Sequence, residues 1–430
     1  MAVLAFYASP ALAQEPIQTA FNYSVTDCAC AEPSCDAGDA SCCCEEPSCG
    51  CDDGCCDTCG CGNDSCCCLG DPCTLQEYLT PCCDDYNYGG WVSIGYHSDF
   101  TRFSDEDVQG LSFNDRPDEL NFHQVWFYGE KVAEAGACSG DWGFRYDMVY
   151  GIDAQKTQAF GNESNSWDVS FDNGAYGWAI PQAYVEYAYG DWSIKAGHFF
   201  TLVGYEVVTA PDNFFYSHSY TMFNSEPFTH TGVLGEYAMS DETTVHLGWV
   251  LGWDSGFDQF GNASAVHAGF IHQATDDVSV SYMMTGGDLG WRGEGYSHSV
   301  VVDVALTDCW NYVLQSDLVS VRPTDASDAN GTLTEDNNDV GVNQYLFYTL
   351  NDCWAVGGRM EWWKSNILGT ASDTRSYYAL TGGINYKAHA NVTVRPEIRY
   401  NWTPSEERYE SDYGVEFNQT VFGIDAIFTF

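Results

Sequence analysis

The chain has 430 residues, with 62 Asp and Glu against 15 Lys and Arg and a formal charge of −47. That balance excludes a nucleic-acid surface, which needs Lys and Arg against phosphate, and allows cation association. No apolar run reaches the roughly 18–20 residues of a membrane-spanning helix, and a composition rich in Tyr, Trp, Phe, Val and Gly favours an all-β chain.

In chain order, residues 1–13 read as the end of a secretory signal: a short apolar stretch closes on Ala11-Leu12-Ala13, an A-x-A cleavage site before Gln14. The basic segment that usually opens such a signal is missing, so the expected start is incomplete. Residues 14–85 form an acidic leader. Of 21 cysteines, 18 lie between Cys28 and Cys83, and Asp27 to Asp85 carries 14 acidic residues, no Lys or Arg and few large apolar side chains. Such a segment cannot build an apolar core, so covalent or ionic bonds must order it. Adjacent cysteines such as Cys42-Cys43-Cys44 and Cys66-Cys67-Cys68 cannot readily bond each other, so bridges must cross between clusters. Cys49-Gly50-Cys51 and Cys59-Gly60-Cys61 also suit thiolate-loving metals. Export favours disulfides; the metal is undetermined, and no cofactor is implied.

From residue 86 the character changes to aromatic and alternating. Strands are predicted at 91–98, 119–131, 142–153, 179–189, 192–200, 231–238, 243–253, 262–273, 278–286, 296–306, 310–320, 340–350, 354–364, 375–387, 391–402 and 419–430. Short and long connections alternate between them. Short turns at one end and long loops at the other are the layout of a transmembrane antiparallel up-and-down β-barrel, here of about 16 strands spanning 86–430. In that layout both the leader and the C-terminus are periplasmic. Trp142, Trp192, Trp310 and Trp354 each follow a short turn, which predicts an aromatic girdle at one interface.

Strand phase assigns the faces. In 391–402, Val392, Val394, Ile398, Tyr400 and Trp402 face lipid, while Arg395, Glu397 and Arg399 face inward. In 142–153, Trp142, Phe144, Tyr146, Met148, Tyr150 and Ile152 face out and Arg145, Asp147 and Asp153 face in. The inward set gains Glu186, Lys195, Glu236, His246, Asp303, Asp317, Arg359, Glu361 and Asp425. Each Arg or Lys on the lipid face would cost about 2–4 kcal/mol at mid-depth, so this one-sidedness implies a polar lumen. Two strands fit poorly. Val125 and Phe127 fall on the expected lumen face of 119–131, and Pro396 removes a ladder donor, for which a bulge is expected.

The final strand ends on Phe428 and Phe430 and resembles the closing strand of bacterial outer-membrane barrels, where it doubles as the signal read by the assembly machinery. Residues 86–430 as a whole resemble the OmpL-like β-barrel porins of planctomycete type. The likeness lies in Gly89-Gly90-Trp91-Val92, in Pro181-Gln182-Ala183-Tyr184-Val185-Glu186, in Gly197-His198-Phe199 leading to a loop with Asn213-Phe214, and in Phe430. The cysteine-rich leader departs from that pattern.

The resemblance implies that the longest loop, Thr201 to His230, folds into the lumen as the third external loop of sixteen-stranded porins does. Glu206, Asp212 and Glu226 would then face Arg145, Arg359, Arg395 and Arg399 across a constriction, with Lys195 a further base of the lumen wall. The turn cysteines Cys138, Cys309 and Cys353 are candidates for bridges to the leader. No G-x-S-x-G, H-E-x-x-H or phosphate loop appears, and His218-Ser219 and Ser297-His298, on a loop and a lumen wall, read as polar lining, so an enzyme is not expected. The reading is an outer-membrane porin passing ions and small hydrophilic solutes, cation-preferring, in contact with lipid, and trimeric by resemblance. The alternative is a structural barrel that anchors the envelope through its leader.

Overall fold

The computed structural model describes residues 69–70, 72–76, 86–98, 113–136, 139–159, 167–168, 172–366, 374–404 and 419–430. The signal segment, most of the leader and Cys138 lie outside the described residues.

All sixteen expected strands are present: β1 (Asn87–His97), β2 (Leu120–Lys131), β3 (Gly140–Gly151), β4 (Gly177–Tyr189), β5 (Trp192–Phe200), β6 (Thr229–Ser240), β7 (Thr243–Val250), β8 (Ser264–Thr275), β9 (Val278–Asp288), β10 (Glu294–Ala305), β11 (Trp310–Arg322), β12 (Asn337–Asn351), β13 (Trp354–Ser365), β14 (Arg375–His389), β15 (Val392–Trp402) and β16 (Gln419–Thr429). Each pairs antiparallel with its neighbours in sequence, and β1 pairs with β16, so the sheet closes with no free edge. The closure runs to the last residue. Gly90 and Phe430 exchange backbone hydrogen bonds at 3.0 and 2.9 Å, and the Phe430 ring lies 5.4 Å from that of Phe127. A Cβ on Gly90 would come within 2.8 Å of the Phe430 ring, which is why the ring can settle there.

The short turns and both ends of the barrel gather at one rim, and the long loops at the other. At the short-turn rim the four tryptophans point outward, with Trp142 63% exposed. Each stands directly opposite a tyrosine of the following strand: Trp142 with Tyr187, Trp192 with Tyr237, Trp310 with Tyr348, Trp354 with Tyr386. Ring centroids in these pairs are 4.8, 4.5, 4.6 and 4.2 Å apart. The expected girdle is therefore a ladder of Trp–Tyr pairs, each contributing about 0.5–1.5 kcal/mol beyond burial.

The phase anomaly of β2 has a physical cause. Ser93 pairs with Gln124 and Ile94 with Phe122, so His123 is an extra residue in β2. A one-residue bulge inverts the facing of everything beyond it. Leu120, Phe122 and Phe127 are exposed on the outside, whereas His123, Gln124 and Trp126 are buried within.

Two expectations fail. There is no bulge at Pro396: Gly383–Glu397 and Tyr386–Val394 keep one register, the β14 pairing lapsing there at Ile384 and Asn385, and the register shifts only nearer the turn, between Lys387 and His389. Ile152 does not face lipid, because the chain turns at Gly151 (φ 156°) into a short helix, Ile152–Thr157, where Ile152 is buried.

Candidate functional site

The segment between β5 and β6, residues 201–228, lies inside the barrel, and its local sequence shapes it for that position. Asn213 braces it: its carboxamide oxygen accepts from Val207 N at 3.0 Å, and its amide donates to Val207 O at 2.7 Å and Thr209 O at 2.9 Å. Gly204 supplies a positive φ of 96°. A single turn of helix, Tyr220–Ser225, is capped by Ser219, whose hydroxyl accepts from Met222 N at 3.2 Å.

Glycines on the inner wall receive the loop's side chains. Phe214 lies over Gly357 of β13, where a Cβ would stand 2.6 Å from its ring. Phe215 lies over Gly383 of β14 at 3.1 Å, and Thr221 over Gly341 of β12 at 2.5 Å. Tyr216 fits between Gly95 of β1 and Gly423 of β16, at 2.6 and 2.8 Å from the would-be Cβ atoms. Around these contacts Tyr205, Phe214, Phe215, Val301, Val313, Tyr345, Phe347 and Ala355 form one buried cluster. An apolar core thus sits within the polar lumen.

Three arginines of the same wall hold the loop's polar backbone. Arg359 bonds Glu206 at 2.6 Å, Ser217 O at 2.7 Å and Glu361 at 2.7 Å. Arg395 bonds Ala210 O at 2.8 Å and Asn213 O at 2.6 Å, while pairing with Asp425 at 2.6 Å. Arg399 bonds His218 O at 2.6 Å and Glu361 at 3.2 Å. Acids of the wall take the loop's N–H groups in turn: Ser217 N donates to Glu397 at 3.1 Å and Tyr220 N to Glu361 at 2.8 Å. Such buried, multiply hydrogen-bonded pairs are strongly destabilising to break, because the surviving partner is left charged and dry.

The three loop acids meet different fates. Glu206 touches Arg359 directly rather than facing it across water. Burial pushes its carboxyl upward, but the Arg359 guanidinium, together with His218 and the Ser219 N–H, more than offsets that and holds it below the usual range. Asp212 accepts from the Thr209 hydroxyl and keeps solvent contact. Glu226 takes a hydrogen bond from the Gln315 amide, and burial, then the negative charge of Asp317, push it well above the usual carboxylate range.

The remaining predicted lumen residues stand on the strands beside polar or charged neighbours. Arg145 pairs with Glu130 at 2.8 Å and Asp147 at 2.7 Å, over the Tyr128 ring. Lys195 stands opposite Glu186 in register and 4.9 Å from the Tyr184 ring centroid. Glu236 stands opposite His246, 3.4 Å away. Asp303 accepts from Asn311 at 2.7 Å, and Asp317 is buried beneath the loop. Of the catalytic candidates, Ser219 is a helix cap, and Ser297 and His298 point to opposite sides of the wall.

Sequence reasoning missed the glycine seats and three further contacts. Tyr216 Oη meets His123 Nε2 at 2.6 Å, and His123 Nδ1 meets Asp153 at 2.9 Å. Arg292, from the loop before β10, pairs with Asp339 at 2.5 Å. The glycines had a partial signal: they occupy inward phases of strands that also carry inward Trp91, Tyr345, Arg359, Tyr377 and Asp425.

At the short-turn rim, Ala390 N donates to Leu69 O at 2.9 Å. Asn391 accepts from Cys73 N at 2.6 Å and donates to Cys73 O at 2.9 Å. Cys309 and Cys353, in neighbouring turns, are each disulfide-bonded, and Cys73 is a free thiol.

No curated protein sequence matches the chain. Its fold is similar to that of OmpT from Vibrio cholerae in its trimer form, with a TM-score of 0.51 and 10% identity over 80% of this chain and 99% of that one. It is also similar to the outer-membrane channel DcaP of Acinetobacter baumannii, with a TM-score of 0.52 and 12% identity over 80% and 97%. Residues 85–430 match the family described as "Putative beta-barrel porin-2, OmpL-like". With that match over most of its length, the chain belongs to the OmpL-like β-barrel porins, outer-membrane channels for small solutes.

Proposed function

We propose that the protein is a passive diffusion channel for ions and small hydrophilic solutes, prefers cations, and is narrowed by a fixed inner loop. The observation that carries this is the seating of residues 201–228 on the β12–β1 wall by glycine contacts and arginine bonds together, an arrangement suited to a permanent constriction rather than to a lid. Cation preference follows from the acidic excess: all 15 Lys and Arg lie beyond residue 85, yet acids still outnumber them there. In this reading Glu206 and Glu226 shape the constriction, and Asp212 meets the solute.

Residues 1–13 serve as an export signal and 14–85 as a periplasmic leader, with the short-turn rim and the C-terminus on the periplasmic side. Leader-to-barrel disulfides through Cys138, Cys309 and Cys353 suit that arrangement, as does the Asn391 contact with Cys73. A homotrimer is proposed from the trimeric OmpT, and recognition by the assembly machinery from Phe428 and Phe430.

The test is single-channel recording of the full chain in planar bilayers, with and without dithiothreitol. Conductance steps with a reversal potential on the cation side of a salt gradient are expected. Anion selectivity would overturn the preference. A folded barrel, silent in both conditions, would overturn the channel in favour of a structural anchor.

A further inference from the structure

We propose that Glu226, Asp317, Gln315 and Ser299 form a binding site for a hard cation of the calcium class, clamped between the inner loop and the β10–β11 wall. Three elements bring the residues together. Ser299 of β10 stands directly opposite Asp317 of β11, and Gln315 lies two residues along on the same inward face. Glu226 enters from the loop just after the helix Tyr220–Ser225. The absence of a Cβ at Gly204 makes its position possible, since one would lie 1.9 Å from Glu226 Oε2.

The pocket is sealed and its oxygens are unsatisfied. Glu226, Asp317, Gln315 and Ser299 are 4%, 2%, 1% and 1% exposed. Both carboxylate oxygens of Asp317, Oε1 of Gln315 and Oγ of Ser299 lack a hydrogen-bond partner. Gln315 gives its amide N–H to Glu226 Oε1, which leaves its own oxygen as the free atom. Ser299 and Gln315 flank Asp317, yet neither makes a hydrogen bond of normal geometry with it.

Charge is the second argument. Glu206, on the same loop, has Arg359 beside it. Glu226 and Asp317 have each other, with Glu206 as the further charge acting on Glu226, and among the described residues no Lys, Arg or His pairs with either. Two carboxylates in one dry pocket cannot both remain charged and uncompensated. Either a proton is shared between them or a cation neutralises both. Two carboxylates, an amide oxygen and a hydroxyl are hard ligands of the kind calcium takes, with water completing the shell, and among the described residues no nitrogen or sulfur ligand joins them to favour a softer metal. A shared proton supplies one O–H donor, enough for one of these oxygens; a cation can take oxygens from all four side chains at once. Bound there, it ties the end of the loop to a wall that the arginines do not reach.

The test uses the purified full chain, stripped with chelator, and Glu226→Gln and Asp317→Asn variants. Calcium binding is measured by equilibrium dialysis, and folding by heat-modifiable gel mobility, so neither readout depends on conduction. Wild type is expected to bind about one calcium per chain more than Asp317→Asn, the contribution of the acidic leader being common to both. Calcium should raise the unfolding midpoint of wild type and leave that of either variant unmoved. Without calcium the variants should match or exceed stripped wild type, since like-charge repulsion is gone. Equal binding and equal shifts in all three chains would overturn the site. So would a stripped wild type that ignores calcium and is stabilised by acid, the mark of a shared proton. If a variant fails to fold, Ser299→Ala decides: several-fold weaker calcium affinity is expected, and unchanged affinity counts against the site.

Discussion

The two sides of this barrel carry the same residue types in the same alternating phase and use them differently. On the wall from β12 through β16 to β1, Arg359, Arg395 and Arg399 direct their guanidinium groups into the loop, and Glu361 and Glu397 accept its N–H groups. On the wall from β2 to β7, Glu130 meets Arg145, Glu186 stands opposite Lys195, and Glu236 meets His246, each pair joining adjacent strands. Charge alone does not separate the two. Glycine does. Gly341, Gly357, Gly383, Gly423 and Gly95 leave hollows that loop side chains fill, whereas a Cβ on Gly143, Gly232 or Gly248 of the other wall would meet neighbouring backbone. A lumen wall becomes a docking surface when missing side chains give the incoming chain somewhere to pack, with the arginines then satisfying its carbonyls.

The largest break in that contrast should come from Arg359→Gln. It strips Glu206 and Glu361 of their shared cation in a site where Arg359 is fully buried. The expected loss is about 3–5 kcal/mol, read as a lower unfolding midpoint in heat-modifiable mobility, with noisier and larger conductance steps as the loop loosens. Arg145→Gln, on the other wall and partly exposed, should cost clearly less. Equal losses would mean that the two walls are not distinct. Acid sharpens the same comparison. Because Arg359 depresses the Glu206 carboxyl below its unfolded value, the stability Glu206 adds is present above the ordinary carboxylate range and is lost as pH falls through the depressed folded-state value. Loop release on acidification should therefore begin below pH ~4.

The glycine seats predict the next effect in size. Gly95→Val places atoms against Tyr216, where a Cβ alone already lies 2.6 Å from the hydroxyl. Such overpacking costs about 1–3 kcal/mol. The control is Gly382→Ala, one residue from a seat and on the opposite face, where a Cβ meets nothing within 4 Å. It should change stability by less than about 0.5 kcal/mol. Thermal midpoints of the two variants in one detergent decide it, and comparable losses would remove the seats from the account.

The strands were legible because alternation is a two-sided signal: Ile398 and Tyr400 out, Arg399 and Glu397 in, repeated around a closed sheet. The Trp–Tyr ladder was half legible, since Trp after a short turn is visible in sequence while its partner depends on register. The β2 bulge was visible only as a misfit at Val125 and Phe127; an extra residue at His123 changes the phase without changing composition. Pro396 misled for the opposite reason. The missing donor is absorbed by a local lapse in pairing, which needs no extra residue. The position of the loop came from its length, its place in the order and the family resemblance. Its seats did not, because whether an inward glycine is a hollow, a close strand approach or simply small depends on contacts between residues more than a hundred positions apart.

The smallest change in stability, and the sharpest probe of where solute passes, comes from Asp212. It is the loop acid that keeps solvent contact, and it acts electrostatically on Arg145 and Arg395 from the loop side. Asp212→Asn should leave the unfolding midpoint nearly unchanged, within about 0.5 kcal/mol, as a surface substitution does. If ions pass along the β2–β7 wall, removing this charge lowers the local cation concentration, so the reversal potential should move toward anions. Arg145→Gln should move it the other way. Shifts of opposite sign in the same salt gradient would place the permeation path between these residues. Two variants with the wild-type reversal potential would place it elsewhere and leave the second wall, like the first, a structural surface.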